Sequence, residues 1–154
     1  MVSPNPEAIQ RALEAHHWPY ADRDPAALAA LQAKVAHVGR RQQLITYTDL
    51  VRGVTFRLPN VHDGAPFELG VPDWREVDRA ILGDFLGRLC VDSYREGRCF
   101  ASALVTSKET SEPSEGFWNL LEALGVFTST DSNRRLMFWA GEVAKAHAWY
   151  AGVS

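Results

Sequence analysis

Apolar residues recur at steps of three and four along most of this chain, and short polar clusters interrupt them. The first run places Ile9, Ala12 and Leu13 on one helical face. Asn5-Pro6-Glu7 precedes it: a capping side chain, a proline suited to the first helical position and an acid at the positive end of the dipole. Trp18-Pro19-Tyr20 breaks the pattern, Asp24-Pro25 repeats the start signal, and Leu28, Leu31, Val35 and Val38 carry a second helix toward Arg40 and Arg41. The two predicted helices make an N-terminal pair over residues 1–43.

Residues 44–154 read as an α+β core. "LITYTDLVRGV" predicts a short strand over 44–47 and a brief helix over 49–53 capped by Thr48, and the proline- and glycine-rich stretch 55–70 predicts irregular structure with at most a short hairpin. The clearest helix follows, opened by an Asp73/Glu76 capping box, with Val77, Ile81, Phe85, Leu89 and Tyr94 on its inner face and Gly97 at its end. "CFASALVTS" reads as a strand buried on both faces. A polar loop leads to a helix over 115–124, capped by Ser114, entered through a tight turn at Pro113 and Gly116 and closed by Gly125. A final helix over 133–150, capped by Asp131 or Ser132, turns Leu136, Trp139, Val143, His147 and Tyr150 inward. The pattern predicts one mostly helical α+β domain, 1–154, with a small sheet.

Composition narrows the function classes. No apolar run approaches the ~20 residues that span a bilayer, and the first residues carry no basic-then-apolar leader, so the expectation is a cytoplasmic protein without membrane contact. A net charge of −3 argues against broad nucleic-acid coating, which needs many phosphates neutralised by Lys and Arg. Cys90 and Cys99 lack metal-ligand spacing and read as buried, reduced thiols. No cofactor is expected.

Several chemistries have no signature here: GxSxG, SxxK, HExxH, GxGxxG and the Walker loop are all absent. A PD-(D/E)xK nuclease needs an acid two places before its lysine; Gln32, Thr106 and Val143 stand there. Glu109, Glu112 and Glu115, three apart, are the candidate metal ligands, although Pro113 opposes the helix that would align them. His62-Asp63 is a candidate oriented base without an identified nucleophile. Arg40, Arg41, Arg52 and Arg57 are the candidate phosphate contacts, provided the segments carrying them share a face. Trp18, Tyr20, Trp149 and Tyr150, with Trp74, exceed what one core readily absorbs, which makes them candidate interface residues.

Two segments carry a resemblance. "LITYTDLVRGV" is similar in outline to the "tYxdLa" segment of winged-helix-like domains, including the alkyltransferase-like group. "ASALVTSKETSEPSEGFWNLLEALGV" resembles a strand–polar turn–Gly-Phe–helix motif of small uncharacterised bacterial modules, and "LMFWAGEVAKAHAWY" their closing Trp-bearing helix. Ala103, Leu104, Val105, Lys108, Pro113, Gly116, Phe117 and Gly125 fall on that pattern, which with the first segment spans about two thirds of the chain, residues 44 to 150. Glu112 and Ser114 depart from it, standing where glycines are usual, and the Pro-Cys-His-Arg site of alkyl transfer is absent. The resemblance implies a winged-helix-like core in a defence or mobile-element setting. The expected function is a non-enzymatic binding or regulatory domain engaging a protein partner, a second copy or nucleic acid. A metal-dependent hydrolase or nuclease and a DNA-binding protein are the alternatives.

Overall fold

Two side-chain caps start the N-terminal half. Asn5 Oδ1 accepts the Ala8 N–H at 2.8 Å and opens α1 (Pro6–Ala15), and Asp24 Oδ1 accepts the Ala27 N–H at 3.1 Å and opens α2 (Pro25–Arg40). The other Asp24 oxygen accepts the Arg57 N–H at 2.7 Å, so one buried carboxylate both caps α2 and ties the turn-rich segment to it. The computed structural model describes residues 5–152. Its remaining elements are β1 (Ile45–Thr46), α3 (Tyr47–Val51), α4 (Glu76–Gly97), β2 (Val105–Thr106), α5 (Glu115–Ala123) and α6 (Ser132–Gly152). The mostly helical α+β character follows the sequence pattern. β1 and β2 pair in parallel, Ile45 with Val105 and Thr46 with Thr106.

α4 is the central helix. Ile81, Leu82, Phe85, Leu89 and Tyr94 enter a hydrophobic cluster that runs from Ile9 to Tyr150 and draws on all six helices. The N-terminal pair therefore packs on the same core as the rest. α4 starts later than the Asp73/Glu76 pattern predicts, because the buried Asp78 carboxylate accepts the N–H groups of Arg75 at 3.1 Å and Gly70 at 3.4 Å. Asp78 also pairs with the Arg75 guanidinium at 3.3 Å, so its charge is not left alone in the interior.

"CFASALVTS" is not a long strand. Ala101–Leu104 forms a 3₁₀ turn, and two residues, Val105 and Thr106, continue as strand. Side chains satisfy the backbone that a neighbouring strand would otherwise serve: Ser93 Oγ donates to Cys99 O at 2.8 Å and accepts from Ala101 N–H at 3.0 Å, and the Trp139 indole donates to Ala103 O at 2.8 Å. The segment is apolar because it is wedged between α4 and α6. Two caps also differ from expectation: Thr46, not Thr48, caps α3 through the Asp49 N–H at 3.1 Å, and Ser114 heads α5 without a side-chain cap. α6 begins at its expected cap, Asp131 Oδ2 accepting Arg134 N–H at 3.0 Å, but is rotated from the predicted stripe. Glu142, Ala146 and Tyr150 are its buried residues, while Leu136 is 48% exposed.

Aromatic rings lie directly on glycines. A Cβ at Gly87 would collide with the Trp18 ring and one at Gly39 with the Tyr150 ring; at Gly97 it would stand 2.5 Å from Trp149 Cγ, and at Gly70 2.8 Å from Trp74 Cε2. Each bare backbone lets a ring approach closer than any side chain would permit. These seats absorb the aromatic surplus: Trp18 is 6% and Tyr150 9% exposed, so neither is an interface residue on the free surface, and Tyr20 and Trp149 are half-buried against the core.

Gly87→Ala should lower unfolding free energy by about 1–3 kcal/mol, the cost of overpacking a filled site. Gly83 lies in the same helix with open space where its Cβ would be, so Gly83→Ala should raise stability by about 0.5–1 kcal/mol. Urea denaturation of both variants checks the pair; equal effects would show that Trp18 does not depend on a glycine beneath it.

Candidate functional site

The polar loop begins where β2 ends and folds on itself. Ser107 N–H donates to Glu112 O and Ser111 N–H to Ser107 O, both at 2.8 Å, and the Ser107 hydroxyl donates to Glu109 Oε2 at 2.8 Å. Tyr47 holds its far end: the phenol donates to Ser114 Oγ at 3.2 Å and accepts the Ser114 N–H at 2.9 Å. Beyond it, Arg135 clamps the start of α5 to α6, pairing with Glu115 at 2.9 Å and lying 4.9 Å above the Trp118 ring. The loop is thus a structural turn, as expected, but not at Gly116. That residue has no left-handed backbone, and a Cβ there would meet only Ser114 Oγ at 3.7 Å.

The loop also forms part of a cleft. With α3, α4 and α5 it walls a cleft of about 710 Å³. The α4 wall presents Ala80, Gly83 and Asp84, and the α5 wall presents Gly116, Leu120 and Ala123, each set at helical steps of three and four. Tyr47 and Trp74 also line it, with the Trp74 indole bonded to Thr48 Oγ1 at 3.2 Å. His16 and Trp18, tilted against each other with centroids 4.2 Å apart, line it as well. Lys108 and Glu109 stand on the loop side of the cleft and Arg79 on the α4 side.

Its acids are engaged by the protein. Asp84 Oδ2 accepts the N–H groups of Ala21 at 2.8 Å and Tyr20 at 3.0 Å; burial lifts its carboxyl above the ordinary aspartate range, and these two bonds oppose the rise. Glu109 is held below the ordinary glutamate range, chiefly by the Ser107 hydroxyl, with Lys108 and Arg79 adding to the effect. Glu115 is committed to Arg135.

The candidate residues separate accordingly. Glu109 and Glu115 line the cleft but have different partners, Glu112 is exposed, and no group of three His, Cys, Asp or Glu side chains among the described residues is placed to hold a metal ion. His62 lies away from Asp63 chemistry, its Nε2 facing the Arg75 guanidinium at 3.1 Å and its ring against Phe67. The arginines do not form one compact patch. Arg57 is tied by its backbone to Asp24 at the start of α2, whereas Arg40 is the last of that helix's 16 residues, about 24 Å away along the axis. Arg41 follows Arg40, and Arg52 pairs with Asp49 at 2.8 Å.

Sequence reasoning missed Gly83, Asp84 and Arg79. A signal was present: Ala80, Gly83 and Gly87 put small residues on one face of a long helix, where a glycine costs about 1 kcal/mol relative to alanine and so asks for a reason. At the cleft's inner side Ser102 meets Cys90 Sγ at 3.2 Å. Burial pushes the Cys90 thiol up and the Cys99 thiol up to about 12, so neither supplies a thiolate near neutrality. No helix of the described residues is long and apolar enough to cross a membrane. No family model, curated protein or solved structure matches the chain.

Iodoacetamide at pH 8 should leave both cysteines unmodified in the folded protein and alkylate both in urea, read by intact mass. Because both folded thiols titrate above their ordinary value of 9.0, their contribution to stability is complete below that pH and is lost as pH rises through their folded range, which for Cys99 reaches about 12. The alkaline slope of stability should therefore be shallower in Cys99→Ala.

Proposed function

We propose that this chain is a small non-enzymatic binding domain whose binding element is the cleft between α4, α5 and the polar loop. The observation that carries the reading is the cleft itself: its volume of about 710 Å³ is that of pockets that enclose small molecules, and Tyr47, Trp74 and Leu120 supply apolar surface beside a few polar groups. The Ser107–Glu109 pair is what a hydrolase reading would use. A general base works best with a pKa near the operating pH, and Glu109 is shifted the other way. That pair therefore lends the hydrolase reading no support.

A winged-helix-like core is part of the proposal only in outline. Its wing would be the turn-rich segment, and the antiparallel bridge between Phe56 and Phe67 is the observation that favours it. The defence or mobile-element setting comes from the resemblance alone and gives no residue a role. A second reading, a second copy or protein partner held on α6, is favoured by Leu136 and by Met137, which is 76% exposed. If it holds, light scattering will show a dimer that Leu136→Glu converts to monomer; a monomeric parent removes the self-association form.

The cleft is tested with a neutral aromatic probe, 2-naphthamide, followed by ligand-observed NMR. The parent should bind it, and Gly83→Leu, which places a side chain in open space on the cleft wall, should abolish binding while keeping the parent's fold by circular dichroism. Equal binding by the two proteins would overturn the cleft as the site.

A further inference from the structure

We propose that the ligand of this cleft is a flat, largely apolar molecule carrying one anionic group, a carboxylate or a phosphate. The inference rests on the reading of the cleft as a binding element and deepens it by assigning the ligand's chemistry. Each of the three lining acids already accepts hydrogen bonds from the protein: Asp84 from two backbone N–H groups, Glu109 from the Ser107 hydroxyl and Glu115 from Arg135. The two lining cations are in the opposite condition. Among the described residues, neither the Arg79 guanidinium nor the Lys108 ammonium makes a hydrogen bond or an ion pair, and both lie close enough to Glu109 to act on its carboxyl. One oxygen of each acid is thus engaged by the protein, whereas the two exposed cations have no protein partner among the described residues, so a ligand that brings acceptors can pair with them. An anion facing a guanidinium and an ammonium forms charge-assisted bonds, stronger than neutral ones.

The rest of the cleft selects shape. Gly83 has nothing within 4 Å of where its Cβ would stand, and Gly116 faces only Ser114 Oγ at 3.7 Å, so each helix leaves room at one position of the cleft wall. Tyr47 and Trp74 add aromatic surface to the lining, against which a flat apolar body packs. Glu109, beside both cations, weakens the anion's hold and discriminates against highly charged ligands.

The experiment compares four probes of one shape by ligand-observed NMR titration: 2-naphthoate, 2-naphthyl phosphate, neutral 2-naphthamide and cationic 2-naphthylmethylammonium. The anions should bind at least about tenfold more tightly than the amide, the cation most weakly. Whichever anion binds tighter distinguishes a carboxylate ligand from a phosphate one. Arg79→Gln with Lys108→Gln should bring the affinity of the anions down to that of the amide, and Glu109→Gln should tighten the anions severalfold. Equal affinity for anion and amide, both lost in Gly83→Leu, would keep the cleft and overturn the ligand class. An anion preference that survives the double substitution would overturn it as well. Failure of the parent to bind any probe would overturn the cleft reading and this inference together.

Discussion

Ring-on-glycine contact is the constraint on which the architecture depends. Gly87 receives Trp18, Gly39 receives Tyr150 and Gly97 receives Trp149. These three contacts join the chain after α1 to α4, α2 to α6, and α4 to α6, so they fix the relative placement of α2, α4 and α6 and of the segment that follows α1. A ring against bare backbone buries a large apolar area in one contact, and it does so only at a separation that excludes even a methyl group. The same contact accounts for aromatic residues that exceed an ordinary core. Trp18, Tyr150, Trp149 and Trp74 each have a specific seat of this kind.

The cleft is a consequence of that packing. Trp18 fills the Gly87 seat and ends there, while Gly83, one turn earlier on the same face of α4, has no ring above it. The empty turn, faced across the gap by Gly116 and Leu120 of α5, becomes cleft wall. Holding α5 in place needs the polar loop to be rigid, and its internal hydrogen bonds, the Tyr47 latch on Ser114 and the Arg135 clamp on Glu115 supply that. The loop's architectural and chemical roles are therefore one arrangement: the bonds that occupy Glu109 and Glu115 in shaping the loop are those that leave Arg79 and Lys108 as the cleft's free charges.

Much of the polar loop was legible as a turn, because proline and the run of polar residues act within a few positions of one another. That it also bounds a cleft was not, because the other walls come from residues tens of positions away. Candidate chemistry suffered the same way. Glu109, Glu112 and Glu115 look like a set in the linear sequence, yet each answers to a different neighbour: a serine two residues off, solvent, and an arginine on another helix. Asp84 drew no attention in the sequence, since nothing local distinguishes a solvated aspartate from one that receives two N–H groups from a loop more than sixty residues away.

The sequence by itself determined where α1, α2 and α6 begin, through Asn5, Asp24 and Asp131, and which faces of α1 and α2 turn inward. Those features rest on hydrogen bonds three residues apart and on helical periodicity, both complete within one short segment. Tertiary structure alone decided that Ala101–Leu104 becomes a 3₁₀ turn, that α6 buries Glu142 rather than Leu136, and which glycines lie under rings. Each of those outcomes depends on a side chain delivered by a distant element, Trp139 to Ala103 and Trp18 to Gly87 among them, and such a meeting exists only once the chain has closed on itself.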